Sequence, residues 1–161
     1  MINLNKKNFF QLIFLISLFA LISAYFIEYI LGHQPCNLCL IERIPYVGAL
    51  IIIIINFRFN HLEKYSILLL IFFFLGGTLI SLYHLGIEQG LVAESFVCAL
   101  KNGSEALSKE EILKQLQQKN VSCKDVTFKI FGLSLTTFNM IISCLITIVL
   151  VKIFLKYDKN N

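Results

Sequence analysis

Tryptophan is absent from the 161 residues, proline occurs twice, and only 15% of the side chains are charged. A water-soluble globule carries about 25% charged residues. With 57% hydrophobic residues and a mean hydropathy of +0.77, the chain has too little polar surface to cover a soluble domain, which argues against cytosolic enzymes and nucleic-acid binders. Fourteen Lys and Arg against ten Asp and Glu is too slight an excess for a nucleic-acid face, so no nucleic-acid partner is expected. The composition calls for a lipid bilayer. Without tryptophan, interfacial anchoring falls to tyrosines such as Tyr25, Tyr29, Tyr46, Tyr65 and Tyr83, together with Lys and Arg.

What is present is a set of long apolar runs. Spans of about 20 residues, the length that crosses a hydrocarbon layer of about 30 Å, are expected near 9–31, 40–57, 66–87 and 131–154, the second being short. The third has no Lys, Arg, Asp or Glu, and the fourth has none before Lys152. Helices are expected because an isolated span must satisfy its own backbone in lipid, and the short alternating segments of a barrel are missing. The first run follows Lys6 and Lys7 but exceeds the ~7 to 15 residues of a signal core, and no small-residue cleavage site follows it. It reads as an anchor. The expected fold is an all-α membrane protein, a four-transmembrane-helix bundle forming one integral membrane domain over residues 1–161.

Four spans put both termini on one side and the loops at about 32–39 and 88–130 on the other. Lys and Arg divide seven to seven between the sides, but those nearest the span ends cluster on the terminal side, which favours cytoplasmic termini. Cysteine decides more firmly. Cys36 and Cys39 lie in the first loop, Cys98 and Cys123 in the second, and the terminal side has none. Disulfides persist outside the cytosol, so both loops are expected in an oxidising, periplasm-like space. In the long loop, Ser108 and Glu111 form a capping-box pattern, and Ile112, Leu113 and Leu116 share one stripe of a helix reaching about Lys119. Such a short amphipathic helix either lies on the bilayer or is a solvated spacer between two cysteines. Cys144, deep in the fourth span, reads as a buried small hydrophobe, and Asn139 as a support for helix contacts.

Cys36-Asn37-Leu38-Cys39 follows Pro35 at the mouth of the second span. A helix start favours a thiolate, and cysteines three apart there are close enough to bond. Arg43, four residues beyond Cys39, shares its face if the helix has begun, and its charge would lower a thiol pKa further. The pair reads as redox-active. No metal is expected: zinc sites commonly repeat a C-x2-C pair, the second pair here is widely separated, and His33 is the only nearby imidazole in the sequence. Cys98 and Cys123 close a loop of about 25 residues, which would stabilise it by roughly 3 to 4 kcal/mol. They are either a staple or a second pair exchanging thiols with the first.

Electrons reaching the membrane edge need an acceptor, and a lipid-soluble quinone takes two electrons and two protons there. Arg43 would stabilise negative charge on its ring. His84 and Glu88, one turn apart at the end of the third span, lie at the depth to hydrogen-bond a carbonyl, although His84 can equally be an interfacial residue packed with Tyr83. Glu42, beside Arg43, reads as its charge partner or as a further cofactor contact.

The string Pro35-Cys36-Asn37-Leu38-Cys39-Leu40-Ile41-Glu42-Arg43, then Tyr83-His84-Leu85-Gly86-Ile87-Glu88-Gln89-Gly90, then Cys98 and Cys123, then Phe131-Gly132-Leu133-Ser134, resembles the disulfide bond formation protein B (DsbB) family. The resemblance runs over nearly the whole chain. It implies a quinone-dependent thiol:disulfide oxidoreductase of the bacterial inner membrane, using ubiquinone or menaquinone to reoxidise a periplasmic DsbA-type partner. Cys98 would take up the partner's cysteine with Cys123 as its mate, and electrons would pass to Cys36 and Cys39, Cys39 facing the quinone with Arg43 assisting. DsbA-type oxidases lie near about −120 mV, so reoxidising one needs a strong acceptor. Leu91-Val92 departs from the family, which often has aromatics there. Two alternatives are a non-enzymatic membrane scaffold or channel stapled by disulfides, and a reductase resembling vitamin K epoxide reductase. In the latter the membrane-edge C-x-x-C is expected on the last span.

Overall fold

The structure is a computed structural model, and it describes residues 6–59, 63–93, 98, 123–124, 129–130 and 132–159. Their elements are α1 (Lys6–Tyr29), α2 (Asn37–Ile41), α3 (Ile44–Arg58), α4 (Glu63–Glu88), β1 (Lys129–Ile130), β2 (Leu133–Ser134) and α5 (Leu135–Lys159). Among the described residues, four segments are long and apolar enough to cross a membrane: Asn8–Tyr29, Asn37–Arg58, Glu63–Glu88 and Leu135–Lys156. The expected four-helix membrane architecture is thus present. The amphipathic helix expected near 108–119 lies outside the described residues.

Boundaries depart from expectation where glycine and proline act. The second span is two helices, not one. Pro45 stands in the first turn of α3, and a proline inside a continuous helix would lose its hydrogen bond and clash with the carbonyl four residues back. The chain turns at Glu42 and Arg43 instead, and the Arg43 carbonyl accepts from Tyr46 and Val47 at 3.1 Å each. The fourth span starts at Leu135 rather than near 131. Gly132, at φ +83°, turns β1 back onto β2 with Lys129 opposite Ser134, which a helix could not accommodate. Ser134 then caps α5, its Oγ accepting from the Thr137 backbone N–H at 3.3 Å.

The bundle packs α1 on α3, α3 on α4 and α4 on α5. Lipid chains are as apolar as leucine, so helix association relies on close packing and interhelical hydrogen bonds rather than on hydrophobic burial. The contact positions fit that demand: Ser17, Ala49, Ser81 and Ser143 are completely buried, whereas Phe19 and Phe72 are more than 70% exposed on the outer face. Gly77 admits the Pro45 ring, whose Cγ would lie 2.9 Å from an added Cβ. Cys144 is half-buried on α5 rather than fully buried as its sequence context suggested.

Candidate redox site

Cys36 is the residue preceding α2. Its Sγ accepts from the Cys39 backbone N–H at 3.3 Å and lies 2.6 Å from the Cys39 Sγ. A disulfide bond is about 2.05 Å long, so the two sulfurs need only a small approach to bond. Cys98 and Cys123 form a disulfide with Cα atoms 5.8 Å apart. Cys36, Leu38, Ile87 and Cys123 make one buried cluster, against which Cys39 and Cys98 pack. All four loop cysteines therefore meet at one place, bridging segments distant in sequence.

Beneath the sulfurs is a buried polar chain that links the second, third and fourth spans. His84 on α4 is 1% exposed, with Nε2 3.5 Å from the Cys36 Sγ and Nδ1 2.8 Å from Glu42 Oε1. Thr136 on α5 lies 3.2 Å from that Nδ1 and donates to Glu88 Oε1 at 2.7 Å. Asn139 donates from Nδ2 to Glu42 Oε2 at 3.0 Å and to Ser81 Oγ at 2.7 Å, and the Tyr46 hydroxyl donates to Asn139 Oδ1. Asn139, expected as a support for helix contacts, is thus a hydrogen-bonding junction at the bundle centre. Buried polar groups in lipid carry a desolvation cost unless paired, and here each finds a partner.

Arg43 is directed elsewhere. Its Nη1 donates to Glu28 Oε2 on α1 at 2.6 Å, and its guanidinium lies 5.0 Å above the Tyr25 ring. Two readings from sequence are corrected by this arrangement. Glu42 is the partner of His84 and Asn139, not of Arg43, because the turn between α2 and α3 sends the adjacent side chains apart. Nor does His84 sit at the interface beside Tyr83, which is 38% exposed. Arg43 instead forms part of an open groove of about 400 Å³, shared with Tyr25, Leu40, Val47 and Phe73 from α1, α2, α3 and α4. Glu28 and Thr136 were missed in the sequence. Glu28 carried a signal, as an acidic residue at the end of an apolar run that calls for a cationic partner.

The Cys36 thiol is pushed from an ordinary 9.0 down to about 5. A hydrogen bond from the Cys39 thiol is the main cause and His84 adds to it, while burial acts in the opposite direction. Because the pKa is depressed, the thiolate is present above about pH 5 and is lost as pH falls through that value. In the reduced protein, the thiolate ultraviolet absorbance should keep one titration step near pH 5, and Cys39→Ala, which removes the donor, should move that step upward. A single step near 9 would contradict the stated environment.

A family model described as "Disulfide bond formation protein DsbB" matches residues 6–153. The chain belongs to the DsbB family. It is 32% identical over 99% of its length to "Uncharacterized protein RP370" of Rickettsia prowazekii, covering 96% of that protein. "Disulfide bond formation protein B" of Cupriavidus pinatubonensis is 23% identical over 97% of both chains, and that of Haemophilus influenzae is 26% identical over 91% of this chain and 85% of its own. As a DsbB-family member with four membrane-crossing helices, the chain is a multi-pass membrane disulfide oxidoreductase acting in disulfide bond formation.

Proposed function

We propose that this DsbB-family protein carries an electron pair from a DsbA-type partner through Cys98 and Cys123, then Cys36 and Cys39, to a membrane quinone, ubiquinone or menaquinone. The gathering of all four cysteines in one cluster carries this reading. We further place residues 1–161 as a single domain in the bacterial inner membrane, with the loops at 32–39 and 88–130 periplasmic and both termini cytoplasmic. That side is supported by the four loop cysteines, since stable disulfides need an oxidising compartment.

A partner thiolate attacks Cys98, and Cys123 leaves as a thiolate. The partner's second thiol then releases the mixed disulfide, so the partner is oxidised and Cys98 and Cys123 are reduced. Cys123 next attacks Cys36 of the Cys36–Cys39 disulfide and expels Cys39. Cys98 closes again on Cys123, releasing Cys36. A thiol of low pKa leaves faster, and the depressed Cys36 thiol suits this last step. The reduced Cys36–Cys39 pair finally gives up two electrons and two protons to re-form its disulfide.

A bound quinone supplies the two-electron, two-proton sink. The residues present fit it: the groove walls are largely apolar, they lie on the membrane-spanning segments, and they carry one guanidinium. We keep Cys39 as the sulfur that hands electrons to the acceptor: Leu40 and Arg43, one and four residues beyond it, line the groove, while Cys39 itself packs in the cysteine cluster. His84 reaches Cys36, and Glu42 and Glu88 lie against His84, so we assign the three to the thiol chemistry and leave Arg43 as the acceptor contact.

The test is purified protein with quinone and a reduced DsbA-type substrate, following quinone absorbance and trapping the mixed disulfide at Cys98. A hydrogen bond to a charged group contributes about 1.5 to 3 kcal/mol. Arg43→Ala should therefore raise the quinone KM roughly 10- to 100-fold while the protein still inserts. Full turnover of the variant at low quinone, or a stable partner adduct at Cys36 instead of Cys98, would overturn the corresponding assignment.

A further inference from the structure

We infer that the reduced Cys36–Cys39 pair and His84 form a binding site for a thiophilic d10 cation, with Zn²⁺ as the fitting ion, so that a reduced protein short of acceptor is held in a metal-blocked state. The two sulfurs and a His84 ring nitrogen lie within 4.8 Å of one another. Sequence spacing gave no reason to expect this, because His33 is the nearby imidazole along the chain whereas the fold delivers residue 84.

The orientation of His84 supports ligation more than proximity alone does. Nδ1 lies 2.8 Å from Glu42 Oε1, and a carboxylate can only accept when ionised. With Glu42 ionised and His84 deprotonated at Nε2, as metal binding requires, the remaining proton sits on Nδ1 and the Nε2 lone pair is toward the Cys36 Sγ at 3.5 Å. A zinc-bound histidine characteristically donates its other nitrogen to a carboxylate, and that carboxylate is itself hydrogen-bonded. Asn139 does this for Glu42 at 3.0 Å.

Donor chemistry and charge also match. Two thiolates and an imidazole suit a borderline-soft divalent ion, and two thiolates neutralise its charge in a buried place. Glu88 Oε1 is held by Thr136 at 2.7 Å and stands outside this set, so the fourth position of a tetrahedral ion would fall to water. The sulfurs would spread from 2.6 Å to the roughly 3.8 Å edge set by Zn–S bonds of about 2.3 Å. Forming the Cys36–Cys39 disulfide consumes both thiolates, so oxidation must expel the ion. Binding to the reduced protein does not depend on the quinone reading; only the physiological timing of release rests on it.

The full chain in detergent, carrying Cys98→Ser and Cys123→Ser and reduced with a phosphine, should bind one equivalent of Zn²⁺ in competition with a chromophoric chelator. The oxidised protein should bind none. His84→Ala should weaken binding at least about 10-fold, and Glu42→Gln by roughly 10- to 100-fold. Because either variant can also disturb folding, X-ray absorption on the zinc-loaded parent provides a second readout, expected to show two sulfurs and at least one imidazole nitrogen. Absence of stoichiometric binding, unchanged affinity in a folded His84→Ala protein, or a sulfur–oxygen shell without imidazole would overturn the site.

Discussion

Cys36→Ser is expected to lower steady-state quinone reduction roughly a thousand-fold or more, the scale seen when a covalent nucleophile is removed. In the relay, Cys36 is both the atom attacked by Cys123 and the atom released when Cys98 closes again. A serine oxygen can form no disulfide, so the Cys36–Cys39 bond that hands electrons to the acceptor cannot re-form. Cys98 and Cys123 remain bonded to each other, so the variant should still oxidise one equivalent of reduced partner and then stop. Quinone absorbance and partner thiol titration, measured on the same sample, separate the two stages. Continued turnover would show that electrons leave by a route avoiding Cys36.

The second large effect concerns stability. Glu42 is 7% exposed and joins His84 on α4 to Asn139 on α5. Removing one partner of a buried ionisable pair costs about 3 to 5 kcal/mol, because the other is left uncompensated. Interhelical hydrogen bonds in membranes, the kind Asn139 makes, average only about 0.6 kcal/mol, with a maximum near 1.7. Glu42→Ala should therefore destabilise the bundle much more than Asn139→Leu, and Glu42→Gln should recover part of the loss by keeping an acceptor beside His84. Equilibrium unfolding in mixed detergent and dodecyl sulfate reads the three variants side by side. Equal small losses for Glu42→Ala and Asn139→Leu would mean that the His84–Glu42 contact adds nothing beyond an ordinary interhelical hydrogen bond.

Much of the architecture is legible in the sequence because crossing a membrane demands long apolar runs, and those survive any local irregularity. Irregularities are what single-run reading misses. Pro45 divides the second span and Gly132 delays the fourth, each through a backbone restriction too local to alter average hydropathy. Within the site, Cys36, Cys39 and Arg43 are visible from their spacing at a span mouth. Pairing Glu42 with Arg43 followed from adjacency in sequence, yet consecutive helical residues do not face each other, and the turn before α3 widens their separation. The partners actually found, Glu28 for Arg43 and His84 for Glu42, lie 15 and 42 residues away. Such pairings are set by which helices pack together, which composition does not encode. Thr136 and Asn139 are three apart on the last span and face the same polar interior, a weaker signal that becomes meaningful once α4 lies beside α5.

The most direct test of the relay is to ask whether Cys36 and Cys123 can bond to each other. In the variant Cys39→Ser/Cys98→Ser, mild oxidation is expected to convert both remaining loop thiols into one intramolecular disulfide, identified by peptide mapping. If Cys36 and Cys123 both stay open to alkylation after oxidation in a folded protein, the two pairs do not communicate and the proposed path fails.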